Sequence, residues 1–442
     1  MKSKLILIAF VLLFLFSCKN NQGNSVMTSS IIDIEYGLQN LTRLKVSDFG
    51  KTIRYIQLET NDNCLVGDAP IVKILKNYIV IHNNRRNGDN CLLFDKKDGS
   101  FITEIGRRGQ GPNEFSSNFS WTDEKEEFLY FKRGQDQLIK FDMKGNFCGN
   151  VRFSTPPGMA SHYVFTDSLI IGHFNNANID LTPFALVFFD KEGHLIDTIP
   201  QLFPPIKTIW EDIVRIRTLI NVADIPEQSL TDDIFRARYF NTVGGILANT
   251  SFNSSLGIIW YKNEDRQLTI MGDVPRIWKN NENIRFKEEF VDTIYTCSNG
   301  KLIPSIAFNT GEYHWPLEEI RTGRITNKWI FIAGICENNT FIFFQCIERA
   351  LSEEPFLYNG LYNKKTGETK LSKNSDIIED DLTHFMPFTP FGMSTAGEFV
   401  SLVDSWRVME WLEEHPESLN NEKLSFLKEL DEDMNPMVIL IE

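Results

Sequence analysis

Phe94-Asp95-Lys96-Lys97-Asp98-Gly99-Ser100-Phe101-Ile102 runs from an aromatic-acid pair through a short polar turn with a glycine to a second apolar pair. This is the form of a hairpin, strand then tight turn then strand, with glycine supplying the backbone freedom the turn needs. It returns in Phe141-Asp142-Met143-Lys144-Gly145-Asn146-Phe147-Cys148 and in Phe189-Asp190-Lys191-Glu192-Gly193-His194-Leu195-Ile196. A looser copy is Tyr362-Asn363-Lys364-Lys365-Thr366-Gly367-Glu368-Thr369. The aspartates at 95, 142 and 190 stand 47 and 48 residues apart, the period of a β-propeller blade or a comparable β-repeat. Around the copies lie blade-like units at about 70–105, 117–153 and 162–199, each a set of short β-rich runs parted by Gly, Asn or Asp.

The first two units are joined by Ile105-Gly106-Arg107-Arg108-Gly109-Gln110-Gly111-Pro112-Asn113-Glu114-Phe115. Three glycines in six residues, ended by proline, describe a tight connection and not a flexible linker. Its residues Gly106, Arg107, Arg108, Gly109, Gly111 and Glu114 form the candidate site: either an anion cradle of backbone N–H groups and guanidiniums, or a crossover between blades. A phosphate loop is excluded, because no Gly-Lys-Ser/Thr follows and Pro112 removes a donor.

These residues, with Phe119 downstream, carry a resemblance. So do Ile56-Gln57-Leu58-Glu59-Thr60 followed by Cys64-Leu65-Val66-Gly67, then Asp292-Thr293-Ile294-Tyr295 and the terminal Asn435-Pro436. Together they resemble the six-bladed β-propeller lipoproteins, an NHL-like family of diderm bacteria whose members mostly lack an assigned function. The resemblance implies an all-β fold of six four-stranded antiparallel blades and a place in the cell envelope. It supplies no catalytic residues. Spacing alone also allows seven blades.

In chain order, Thr52 to Glu59 alternates as a strand, and Met437-Val438-Ile439-Leu440-Ile441 is a suitable partner to close the ring and cover both sheet edges. Regularity breaks at Pro204-Pro205. There Ile206, Ile209, Trp210, Ile213, Ile216 and Ile220 recur at helical spacing, which predicts a small amphipathic helical insertion packed on the propeller. Strand signals resume at Tyr239 to Trp260, Ile284 to Phe308, Trp329 to Ile347 and Phe356 to Leu371. A final unit, Phe385 to Val403, precedes two helical stretches, Trp406 to Glu413 and Asn421 to Leu430.

Met1-Lys2-Ser3-Lys4 and the apolar run Leu5 to Phe16 form a secretion signal too short to span a bilayer comfortably. Leu15-Phe16-Ser17-Cys18 resembles a lipobox, which makes Cys18 the site of lipid attachment. The expected organisation is a signal peptide at 1–17, a polar tether at 18–31 and a single propeller domain at 32–442. The residue next to Cys18 is Lys19, not aspartate, and no acid stands before Asp33, which favours the periplasmic face of the outer membrane over the cell surface.

A formal charge of −14 argues against nucleic acid as a partner. The six other cysteines, at 64, 91, 148, 297, 336 and 346, have irregular spacings in apolar runs and read mostly as buried thiols, without Cys-x-x-Cys. The seven histidines, at 82, 162, 173, 194, 314, 384 and 415, lack metal-ligand spacing, so neither a metal nor any cofactor is expected. The acidic run Asp376, Glu379, Asp380 and Asp381 has no calcium-loop ladder and reads as a solvated loop. Ser425-Phe426-Leu427-Lys428 matches a β-lactamase motif without its partner motifs. The function expected is that of a non-enzymatic binding or assembly module with an envelope protein, peptide or glycan partner. The alternative is a metal-dependent lyase or hydrolase with its site at the axial channel.

Overall fold

Adjacent residues of a strand face opposite ways, and in the first repeat unit both faces are covered. Val80 and Leu93 point into a core shared with the second unit, while Ile79, Ile81, Leu92 and Phe94 point into a core shared with the last. Double burial explains why these strands read as continuous apolar runs and not as alternating ones.

In the computed structural model, the described residues are 30–442 except 68–69, 84–89, 117–118, 135, 155–159, 175–182, 203–212, 219–222, 225–256, 262–268, 272–275, 289–290, 315, 317–327, 350–354 and 391. Six four-stranded antiparallel blades form a ring. Blade 1 is Ile71–Ile74, Tyr78–His82, Cys91–Asp95 and Phe101–Glu104. Blade 2 is Ser120–Thr122, Phe128–Arg133, Gln137–Asp142 and Phe147–Arg152. Blade 3 is His162–Phe165, Ile170–His173, Phe184–Phe189 and Leu195–Pro200. Blade 4 is Ile277–Asn280, Asn283–Phe286, Thr293–Ser298 and Lys301–Asn309. Blade 5 is Ile330–Glu337, Phe341–Glu348, Phe356–Asn363 and Thr369–Lys373. Blade 6 takes Gly392–Met393, Phe399–Val403 and Met437–Ile441 from one end of the chain and Ile53–Gln57 from the other. The first strand named in each blade is the innermost, and these strands surround a common axis.

The closure expected from the termini is present. Ile53–Gln57 pairs antiparallel with Met437–Ile441, Ile53 opposite Ile441 and Gln57 opposite Met437. All five residues of the terminal strand are buried, and each such side chain contributes on the order of 1.5–3 kcal/mol. Asn435 fixes the join. Its amide accepts from Val66 N at 2.8 Å and donates to the carbonyls of Glu59 at 2.6 Å and Cys64 at 2.8 Å, while its backbone N–H reaches Thr60 Oγ1 at 2.8 Å. Ser30–Asp33 adds a parallel strand outside blade 4, along Ile306–Asn309.

The insertion lies where it was expected, between blades 3 and 4, but its predicted helix is corrected. Ile213–Thr218 is a strand, paired antiparallel with Gly257–Tyr261 in a sheet completed by Ala223–Asp224 and Thr269–Met271. The β-branched Ile213, Val214 and Ile216 prefer extended backbone once a partner strand offers a ladder, and that outweighs a spacing compatible with a helix. Ile206, Ile209, Trp210 and Ile220 lie outside the described residues. This sheet is not a seventh blade. Val164, Ile171 and Leu186 of blade 3 pack directly against Ile277, Ile284 and Phe286 of blade 4.

At the C-terminal end, Ser405–Glu414 is an α-helix, whereas Pro416–Asn420 and Glu422–Glu429 are 3₁₀ turns. Val408, Leu412, Leu424 and Leu427 cover the blade 5/6 core beside Phe399 and Ile439. The six described cysteines are free thiols, with Cys64, Cys91 and Cys346 buried.

Candidate functional site

The innermost strands of all six blades enclose an axial cavity of about 820 Å³. Its wall includes Lys73 of blade 1, Trp121 and Thr122 of blade 2, His162 of blade 3, Trp278 of blade 4, Glu337 of blade 5 and Met393 of blade 6. Lys73 stands between Val72 and Ile74, which go to the core between blades 6 and 1, whereas Trp121 and Trp278 border the cavity and also pack into the cores between blades 2 and 3 and blades 4 and 5.

One rim of the cavity is made by the hairpins that follow the innermost strands, and it is stitched across blades. Glu126 accepts the Lys76 N–H at 2.8 Å and the Thr395 hydroxyl, linking blades 1, 2 and 6. Glu124 of blade 2 pairs with Lys279 of blade 4, and Asn281 donates to Asn339 at 2.5 Å. The fully buried Glu337 carboxylate receives Lys364 Nζ at 2.6 Å, Trp278 Nε1 at 2.8 Å, Asn280 Nδ2 at 2.9 Å and Arg285 Nη2 at 3.3 Å. So many donors on one buried carboxylate tie blade 4 to blade 5 and leave little capacity for a ligand.

The other half of the wall differs in charge. Lys73 Nζ donates to the main-chain oxygen of Ser120, and no carboxylate faces it among the described residues. Ser120 Oγ meets His82 Nε2 at 2.8 Å, and His82 Nδ1 is buried without a partner. Trp121 Nε1 donates to His162 Nδ1 at 3.3 Å. Burial first, and the Lys73 charge second, push both imidazoles down to about 3, so both are neutral. Burial likewise lowers the Lys73 ammonium to about 8.

The glycine-rich loop lies away from this cavity, on the crossover from blade 1 to blade 2, and none of Gly106, Arg107, Arg108, Gly109, Gly111 and Glu114 lines the axial wall. Its own carboxylate fills it. Glu114 Oε2 accepts the Gly111 N–H at 2.6 Å, and a Cβ added at Gly109 would fall 2.0 Å from the same oxygen. Phe115 anchors the loop, stacked on Phe131 with ring centroids 4.5 Å apart. Arg107 is largely exposed and stands 4.0 Å from Glu104. Cys18 lies outside the described residues.

The acidic run is more embedded than a solvated loop would be. Asp380 is buried, accepting the N–H groups of Leu382 and Thr383 at 3.0 Å and the Tyr55 hydroxyl at 3.1 Å, while Asp381 holds Ser47. Among the described residues, no three His, Cys, Asp or Glu side chains converge as a metal site would require. No helix of the described residues is long and apolar enough to cross a membrane.

Sequence reasoning missed Lys73, Trp121 and His162. The available signal was a lone lysine inside the apolar run Ile71-Val72-Lys73-Ile74, a strand otherwise buried in which Lys73 is the one partly exposed position.

A family model described as a domain of unknown function, DUF4934, matches residues 29–442. A search of curated proteins returned no match. Among solved structures, a Bacteroides fragilis protein described as exported is similar along 93% of this chain and 99% of its own, with 16% identity and a TM-score of 0.59. A DUF4221 member from Bacteroides vulgatus is similar over 89% of this chain and 96% of its own, at 12% identity and a TM-score of 0.45.

Proposed function

We propose, on the premise that the chain belongs to the DUF4934 family of unknown function, that it is an envelope lipoprotein whose propeller binds a ligand in its axial cavity. One observation carries this reading: a cavity of about 820 Å³ walled by the innermost strands of all six blades. That volume suits a small molecule, a short glycan or the end of a peptide. Strands pinned between two cores hold the lining side chains in place before a ligand arrives, which limits the ordering cost of binding.

The N-terminal signal and Cys18 provide the address. Acyl chains on Cys18 attach the protein to the outer membrane without a spanning helix, and the polar residues after it let the ring stand away from the lipid, on the periplasmic face.

Two measurements test the reading. Detergent partitioning of the full chain against a Cys18→Ala form tests the anchor; equal partitioning into the detergent phase would rule it out. Mass spectrometry of small molecules and cross-linked partners retained by the protein from its own envelope tests the cavity. Thr122→Trp, which fills the axial space, should lose what the wild type retains, with the melting temperature confirming that the ring is intact. Identical retention by both forms would place binding elsewhere.

A further inference from the structure

Resting on that reading of the cavity, we infer that the ligand presents an oxyanion, a carboxylate, phosphate or sulfate, to the wall formed by Lys73, Trp121 and His162. Donors on this wall outnumber acceptors. Lys73 carries three N–H donors and spends one on the Ser120 carbonyl. His162 is neutral and its Nδ1 accepts the Trp121 indole N–H, so its proton sits on Nε2. That Nε2–H is a second donor, on a residue that lines the cavity, with no acceptor among the described residues.

Charge points the same way. A cation deep in a protein is normally matched by a carboxylate, because an unmatched one is costly. The groups facing Lys73 are Ser120, His82, Cys91 and His162, none of them anionic at neutral pH. Lys132, 5.7 Å from the centroid of the Trp121 ring, adds positive charge on the blade 2 side. The acids lining the cavity, Asp123, Glu124, Glu126, Glu282 and Glu337, belong to the hairpin rim and to blade 5, and all but Glu282 have protein partners there. An anionic group beside Lys73 would supply the counter-charge and the acceptors that the protein withholds.

The test uses inorganic phosphate, sulfate and glucuronate as separate probes of the mature full-length protein, read by calorimetric titration and by the rise in melting temperature. At least one probe should bind at neutral pH, and Lys73→Met, which keeps the stem and removes the charge, should weaken it by about tenfold or more. Binding should also fade as the pH rises past the range in which Lys73 keeps its proton, a loss that begins near 8 in the empty cavity and moves higher when an anion is bound. Equal binding by Lys73→Met, or no response to any probe at millimolar concentration, overturns the inference. A native ligand displaced by Thr122→Trp but indifferent to Lys73→Met would sink the oxyanion assignment and leave the cavity reading standing. A ligand indifferent to both would sink the two together.

Discussion

Gly99, Gly145 and Gly193 occupy equivalent turns at φ +79°, +82° and +93°, and each turn leans on the outermost strand of the blade before it. A Cβ at Gly99 would fall 2.1 Å from the Gln57 carbonyl oxygen, one at Gly145 2.8 Å from that of Glu104, and one at Gly193 2.2 Å from that of Arg152. The repeated glycine therefore serves both the turn and the joint between blades. Gly367 has the same backbone, φ +75°, and nothing within 4 Å of its missing Cβ. Gly367→Ala should cost about 1–2 kcal/mol for the positive φ alone. Gly99→Ala should cost clearly more, about 3 kcal/mol or above, because backbone must also move. Equal urea midpoints for the two variants would refute the joint. Protons act at this scale too. His82 and His162 have pKa values depressed from 6.5 to about 3, and His173 is lowered by burial and by Arg276. Below pH 6.5 the unfolded chain takes up protons that the folded chain refuses, so this stability is complete above 6.5 and is lost as the pH falls toward 3. His82 and His162 should each account for about 2 kcal/mol between pH 7 and 5. His82→Gln should shrink that drop in urea unfolding by a similar amount, and an unchanged drop would show that His82 is not held neutral.

At the scale of elements, the insertion and the blades obey different rules. Hairpin runs such as Ile330–Glu337 with Phe341–Glu348 were legible because turn residues at Asn338 and Asn339 bound two apolar runs of strand length. The insertion was not. Its isoleucines at 213 and 216 satisfy a helical spacing and a strand composition together, and only the partner Gly257–Tyr261 decides between them. Because blades 3 and 4 share their own core, the inserted sheet is not needed to close the ring. Replacing residues 203–275 by a Gly/Ser linker as short as the connection 153–161 should leave the melting transition cooperative and within about 5 °C of the parent. Loss of cooperativity would mean that the insertion is part of the ring after all.

Across the whole molecule, each pair of consecutive blades shares a hydrophobic cluster among the described residues, the last joining blade 6 to blade 1. A ring of shared cores has no blade that can melt alone without exposing two neighbours, so the closing strand governs the whole. A chain ending at Asn435 lacks Met437–Ile441, strands Ile53–Gln57 without a partner and opens the edge of Phe399–Val403. It should show no sharp thermal transition and should bind a hydrophobic dye at temperatures where the parent does not. A sharp transition near that of the full chain would show that the ring tolerates an open blade.

From the sequence alone came the repeat, its hairpins, the pairing of the two chain ends and the site of the insertion. These depend on local turn chemistry and on short-range apolar patterning, which a linear chain displays. The scattered motif Gln57, Thr60, Cys64, Val66 and Asn435 could be recognised but not explained until folding brought it together around the backbone and side chain of Asn435. The six-fold closure, the filling of the glycine loop by Glu114 and the gathering of Lys73, Trp121 and His162 on one wall were decided by tertiary structure. The physical reason is common to all three: they are relations among residues on different strands, set by how sheets pack around an axis, and side-chain spacing along the chain carries no record of that axis.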